Sequence, residues 1–164
     1  MGAREEGGNN SGQWVTKYLD GQAPYGSSWC GAFVSWCYRQ AAKDLGHPGM
    51  GYHIAARGLF NWMKRKGFIR SRFRLPEVGD MIFWWRMSKD DWRGHVGLVH
   101  HVEANGADDI IYTVEGNRSP KVEMFQYKTM THTTNGIQEY DEPEMKKLMG
   151  YGRLPDFPEI IKLD

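Results

Sequence analysis

At 164 residues the chain is long enough for one domain that buries a core without help from metal or disulfides, and a single domain over residues 1–164 is expected. Lys and Arg total 21 against 20 Asp and Glu, a formal charge of +1, which gives no ground for nucleic acid or an anionic membrane as partner. Two cysteines exclude a disulfide scaffold, and no stretch of about 18 apolar residues offers a membrane span.

The opening residues, Met1 to Gly8, lack the apolar centre of a signal peptide, so a soluble protein without an export address is expected. Gln13 to Leu19 then reads as a short helix, with Val15, Tyr18 and Leu19 apolar and Gly21 beyond its end. The clearest element follows. Ser27 or Ser28 can cap a helix in which Cys30, Phe33, Val34, Cys37, Ala41 and Leu45 recur at helical spacing before Gly46 and Pro48 stop it. A third helix is expected from about Ile54 to Lys66, ended by Gly67. The stretch from Phe68 to Pro76 is basic and irregular.

Strands begin at Gly79 to Trp85. His95 to Glu103 and Asp109 to Glu115 are β-rich runs joined around Asn105-Gly106, a hairpin signal; Val122 to Tyr127 and Met149 to Leu154 add further strands, and the tail from Pro155 reads as a surface terminus. Helices first and strands afterwards point to an α+β fold, with N-terminal helices packed on a C-terminal antiparallel sheet.

Cys30 and Cys37 are chemically unequal. On one helix they stand roughly 10.5 Å apart along the axis, too far for a disulfide. Cys30 begins its helix, where unpaired amides and the positive end of the dipole favour a thiolate and can hold an oxyanion. Cys37, two turns further in, reads as a small buried apolar residue, and the same bland reading stays open for Cys30.

Of the six histidines, His95 opens an apolar strand, Val96-Gly97-Leu98-Val99, that faces a second one ending in Val114-Glu115-Gly116-Asn117. A loop centred on Gly106 sets His95 opposite Asn117 and Gly97 opposite Glu115, so that Glu115 is the diagonal neighbour of His95 and Gly97 leaves room between them. A two-residue Asn-Gly turn would shift the register by one and turn Glu115 and Asn117 to the other face. A longer loop or a bulge is therefore expected. An ordinary hairpin with a polar edge is the competing reading. His100 and His101 are expected one inward and one outward, and His47, His53 and His132 carry no decipherable role.

Four segments together carry a family resemblance. Ser28-Trp29-Cys30-Gly31-Ala32-Phe33-Val34-Ser35-Trp36-Cys37, Pro76-Glu77-Val78-Gly79-Asp80-Met81-Ile82-Phe83, Gly94-His95-Val96-Gly97-Leu98-Val99 and Val114-Glu115-Gly116-Asn117 resemble, in that order, the motifs of the CHAP family, the cysteine, histidine-dependent amidohydrolases/peptidases. The resemblance extends from about Glu5 to Leu154 and implies a papain-like fold. It implies Cys30 as nucleophile, His95 as general base, Glu115 as the residue orienting His95, and Asn117 as a supporting polar group.

The implied substrate is peptidoglycan, cut at an amide bond of the stem peptide or cross-bridge by an N-acetylmuramoyl-L-alanine amidase or an endopeptidase. Delivery by a phage or a secretion machine is expected, with an immunity or secretion partner if the chain is a toxin; a monomer is expected. A fragment of a larger exported hydrolase has the same appearance. Other readings are an amidase on a small thiol conjugate such as glutathionylspermidine, and a wall-binding module without catalysis. Trp29, beside the nucleophile, is expected to line the substrate groove in preference to Trp84, Trp85 and Trp92, and Tyr25 is a candidate oxyanion donor or a plain surface tyrosine. The basic run from Lys64 to Arg74 reads chiefly as a solvated face. Some family members hold calcium on an acidic loop before the nucleophile. Here Asp20 is the only acid between Tyr18 and Cys30, and no paired Cys or His-Glu zinc motif occurs, so no metal or other cofactor is expected.

Overall fold

Apolar spacing in the N-terminal part of the chain produces three helices, α1 (Gln13–Leu19), α2 (Cys30–Asp44) and α3 (Ala56–Arg65). The computed structural model describes residues 2–72, 74–88, 90–104, 109–130, 139–140 and 147–155. Seven strands follow: β1 (Ile69–Arg70), β2 (Met81–Trp85), β3 (Gly94–Glu103), β4 (Ile110–Glu115), β5 (Glu123–Met130), β6 (Glu139–Tyr140) and β7 (Lys147–Gly152). They form one sheet in the order β1-β7-β2-β3-β4-β5-β6, every neighbouring pair antiparallel. The expected α+β order holds, with β1 emerging from the stretch read as irregular.

Alternation along β2 divides the apolar residues between two cores. Met81 and Phe83 face the helices and pack with Val15, Val34, Leu59 and Met63. Ile82 and Trp84 face the other way and join Val99, Ile111, Tyr127, Leu148 and Tyr151. Trp84 and Tyr127 lie on β2 and β5, three strand positions apart in the sheet, which in a flat sheet is about 14 Å. Their rings stand 4.7 Å apart, so the sheet curls around its second core.

Two glycines set the approach of the layers. A Cβ on Gly31 would meet the carbonyl of Ile54, and one on Gly152 would meet the sulfur of Met63. Neither position leaves room for a side chain, which lets α2 lie against the chain entering α3 and β7 run beneath it. Asp80 is buried just before β2; it accepts from the amide of Glu77 at 2.9 Å and holds the Arg153 guanidinium through both oxygens at 2.7 and 2.8 Å. The Glu77-Val78-Gly79-Asp80 motif thus fastens the start of β2 to the end of β7.

The β3–β4 register is the one a long loop or bulge requires. Leu98 pairs with Val114 and Val99 with Thr113, after which a bulge before His101 advances the pairing by one residue, to His101 with Tyr112. Continuing the first register sets Gly97 opposite Glu115. The loop around Asn105-Gly106, His132 and the tail beyond Pro155 lie outside the described residues. His100 and His101 are both exposed, which corrects the expected alternation. A bulge sets two successive residues against one partner, so the inward–outward rhythm breaks there.

Candidate active site

The first turn of α2 carries Cys30 as its first helical residue. The expected serine cap is absent: Trp29 is the N-cap and makes no side-chain cap bond. The amide of Trp29 itself donates to Oδ1 of Asn117 at 2.9 Å, so a distant side chain satisfies one of the unpaired amides at the helix start. Asn117 sits at φ 65°, a left-handed conformation asparagine tolerates better than most residues. Its Nδ2 donates to Oδ1 of Asn10 at 2.6 Å and to Oε1 of Glu5 at 3.4 Å. A Cβ on the preceding Gly116 would strike the Trp29 ring. These contacts explain the Gly116-Asn117 pair: glycine lets the β4 end lie against the indole, and asparagine ties it to the nucleophile segment.

His95, near the start of β3, pairs with Trp84 and therefore belongs to the second face of the sheet. Glu115 shares that face, and its Oε2 lies 2.9 Å from His95 Nε2. Its Oε1 accepts from Thr113 Oγ1 and Tyr127 Oη, each at 2.6 Å. A Cβ on Gly97 would come within 2.6 Å of Glu115 Cγ, so glycine there is what leaves the carboxylate its place. Glu115 is the direct partner of His95, and Asn117 braces the other half of the site.

Nε2 being held by Glu115, Nδ1 is the ring nitrogen left for Cys30. It is buried and has no partner at full hydrogen-bonding geometry among the described residues, yet the thiol is close enough for the two groups to shift each other's titration. A looser contact of this kind is usual before substrate binds. Burial alone would raise the Cys30 thiol, but hydrogen bonding with His95, the imidazolium charge, Arg86 and the Gly31 amide together bring it below its ordinary value. Burial alone would lower His95; interaction with Cys30 and Glu115 outweighs this and lifts it to about 9. Burial would raise Glu115, and His95, Thr113 and Tyr127 hold it below the ordinary carboxylate value. All three directions favour a thiolate–imidazolium pair backed by a carboxylate. By contrast, burial pushes the Cys37 thiol up to about 12.

Cys30 opens into a cleft of about 360 Å³ lined also by Ser27, Ser28, residues 54–56, Arg86, Trp92, Arg93, Gly94 and Asn117. Trp29 is not part of that lining. It is 0 % exposed, stacks on Tyr18 at 5.6 Å and donates its indole N–H to Glu5 Oε1 at 2.9 Å, which corrects its expected place in the groove. Adjacent residues at a helix start point in different directions, and the one beside the nucleophile faces the core. Tyr25 is 68 % exposed and does not line the cleft. Trp84 lies in the second core, whereas Trp92, 79 % exposed, lines the cleft. Arg86, Glu5 and Asn10 were not singled out by sequence reasoning, since none lies in a recognisable motif and only tertiary contact brings them here.

Asp20, the one acid between Tyr18 and Cys30, forms an ion pair with Arg39 at 2.7 Å. Among the described residues no group of three or more His, Cys, Asp or Glu side chains gathers as metal ligands would. No described helix is long and apolar enough to cross a membrane.

The CHAP domain family model matches residues 21–117, more than half of the chain. No curated protein and no solved structure matches it.

Proposed function

Because the chain belongs to the CHAP family, whose domains are amidases and peptidases, we propose that it hydrolyses amide bonds of peptidoglycan peptide, with Cys30 as nucleophile and His95 as proton carrier. The observation that carries this reading is the line Cys30, His95, Glu115: a thiol at a helix start, an imidazole whose Nδ1 is left for it, and a buried carboxylate 2.9 Å from Nε2.

In the proposed reaction the Cys30 thiolate attacks the amide carbon, and the carbonyl π electrons move onto oxygen. The oxyanion forms beside the first turn of α2, where helix geometry leaves amides such as that of Cys30 without intrahelical partners. Protonated Nδ1 of His95 gives its proton to the amide nitrogen as the C–N bond breaks, leaving a thioester and a free amine. A water then loses a proton to Nδ1, its oxygen attacks the thioester carbon, and the thiolate departs as carboxylic acid forms. Glu115 keeps the tautomer fixed throughout and steadies the cationic ring.

We place the activity with N-acetylmuramoyl-L-alanine amidases or stem-peptide and cross-bridge endopeptidases, in a phage-type lysin or an injected antibacterial toxin. Incubation with purified sacculi, followed by mass spectrometry of the released fragments, tests this. New amine and carboxyl termini that depend on Cys30 are expected. Intact sacculi alongside cleavage of glutathionylspermidine would transfer the site to small thiol conjugates; intact sacculi with no cleavage of either would leave a binding module.

A further inference from the structure

The cleft beside Cys30 is electrically lopsided. Among the described residues its lining holds two arginines, Arg86 and Arg93, and no carboxylate. Arg93 is committed: its Nε and Nη2 grip the two oxygens of Asp91 at 3.0 and 2.7 Å. Arg86 has no ion pair among the described residues and is exposed within the cleft, close enough to Cys30 for its charge to favour the thiolate. An unpaired arginine on an open surface is merely solvated. This one lines the same cleft as the candidate nucleophile and Trp92, an indole whose 79 % exposure leaves its face for a ligand.

Resting on the peptidoglycan-hydrolase reading above, we infer that Arg86 is the specificity residue of the cleft, accepting a substrate peptide that bears a free carboxylate within one residue of the scissile amide. A guanidinium offers a planar fork that two carboxylate oxygens match, whereas a carboxamide presents only one acceptor and no charge. Trp92 supplies the apolar wall along which the peptide backbone lies. Among the described residues lining the cleft, no other cation is left to compete for the carboxylate and no acid repels it.

The test uses two muramyl tetrapeptides that differ in one group, the free carboxylate of the γ-linked D-glutamate being a carboxamide in the second. Hydrolysis is followed with the intact chain, Arg86→Gln and Arg86→Lys, and binding is measured by calorimetry on the Cys30→Ala protein with and without Arg86→Gln. The acid peptide is expected to be preferred by on the order of tenfold in kcat/KM and in affinity. In Arg86→Gln the loss that acts through the Cys30 thiol falls on both peptides alike, while KM rises further for the acid peptide so that the preference disappears, and Arg86→Lys restores part of it. Equal handling of both peptides by the unaltered residue overturns the inference. So does an equal loss on both in Arg86→Gln with the acid limb of the pH profile moved, which marks a residue acting only through the thiol. If neither peptide is cleaved, binding still decides: an Arg86-dependent preference upholds the carboxylate site and its absence overturns it, the hydrolase reading being decided separately by the sacculus digestion.

Discussion

Glu5 and Trp29, separated by 24 positions in the chain, are joined by the indole N–H donating to the carboxylate at 2.9 Å, and the same oxygen receives Asn117 at 3.4 Å. The segment that precedes the matched family region is therefore built into the support of Cys30. Glu5 acts through Trp29 and is a positioning residue. Glu5→Ala should cost about 1–3 kcal/mol of stability, read as a lowered Tm, because a buried indole donor loses a charged acceptor. Glu5→Gln keeps an acceptor oxygen and should recover most of it. A double-mutant cycle with Trp29→Phe should show coupling of roughly 1 kcal/mol; strict additivity would mean the contact does not hold the helix start.

The two thiols should differ sharply in reactivity. Iodoacetamide near neutral pH is expected to label Cys30, whose pKa is lowered, and to spare Cys37, raised to about 12 by burial. Cys30→Ala and His95→Ala should each abolish sacculus digestion with the fold unchanged by circular dichroism, while Cys37→Ala stays active. Digestion by the Cys30→Ala protein would remove the proposed nucleophile.

The rate should follow a bell in pH. Its alkaline limb lies near pH 9, where His95 loses its proton, and its acid limb falls below the ordinary thiol value of 9.0, where Cys30 regains one. Glu115→Gln removes the charge that helps raise His95, so the alkaline limb should move to lower pH and kcat fall at least about tenfold. An alkaline limb that does not move would show that the carboxylate does not tune the ring.

Stability should respond to pH with opposite signs at the two groups. Glu115 is depressed below 4.5 in the fold, so its contribution is present above that value and is lost as pH falls through the folded pKa. His95 is raised to about 9, so its contribution is whole below 6.5 and drains away as pH rises toward 9. Thermal melts across this range should lose their acid-side slope in Glu115→Gln.

Gly97→Ala places a methyl 2.6 Å from Glu115 Cγ. Overpacking of this kind costs about 1–3 kcal/mol. Because the displaced group is the partner of His95, kcat should fall further than the modest drop in Tm would suggest. Unchanged kinetics with an unchanged melt would mean that Glu115 can relocate freely.

The hydrophobic rhythm of the sequence was enough to order helices before strands, because burial of one helix face and alternate strand residues writes its period into the chain. It also supplied the partnership of His95 and Glu115, since hairpin register converts distance along the chain into distance in space. Helix position alone separated Cys30 from Cys37. What no local pattern contained was everything decided by contact between distant segments. Trp29 went to the core, and Trp92 to the cleft, because the turn into α2 and the curl of the sheet choose which side of each residue meets solvent. Asn117 met the Trp29 amide at the helix start, and Glu5 and Asn10 joined it, only once the β4 end and the N-terminal segment were folded against the same helix. Local sequence encodes the period of an element; the direction a side chain takes at an element's end is settled by what the rest of the chain packs around it.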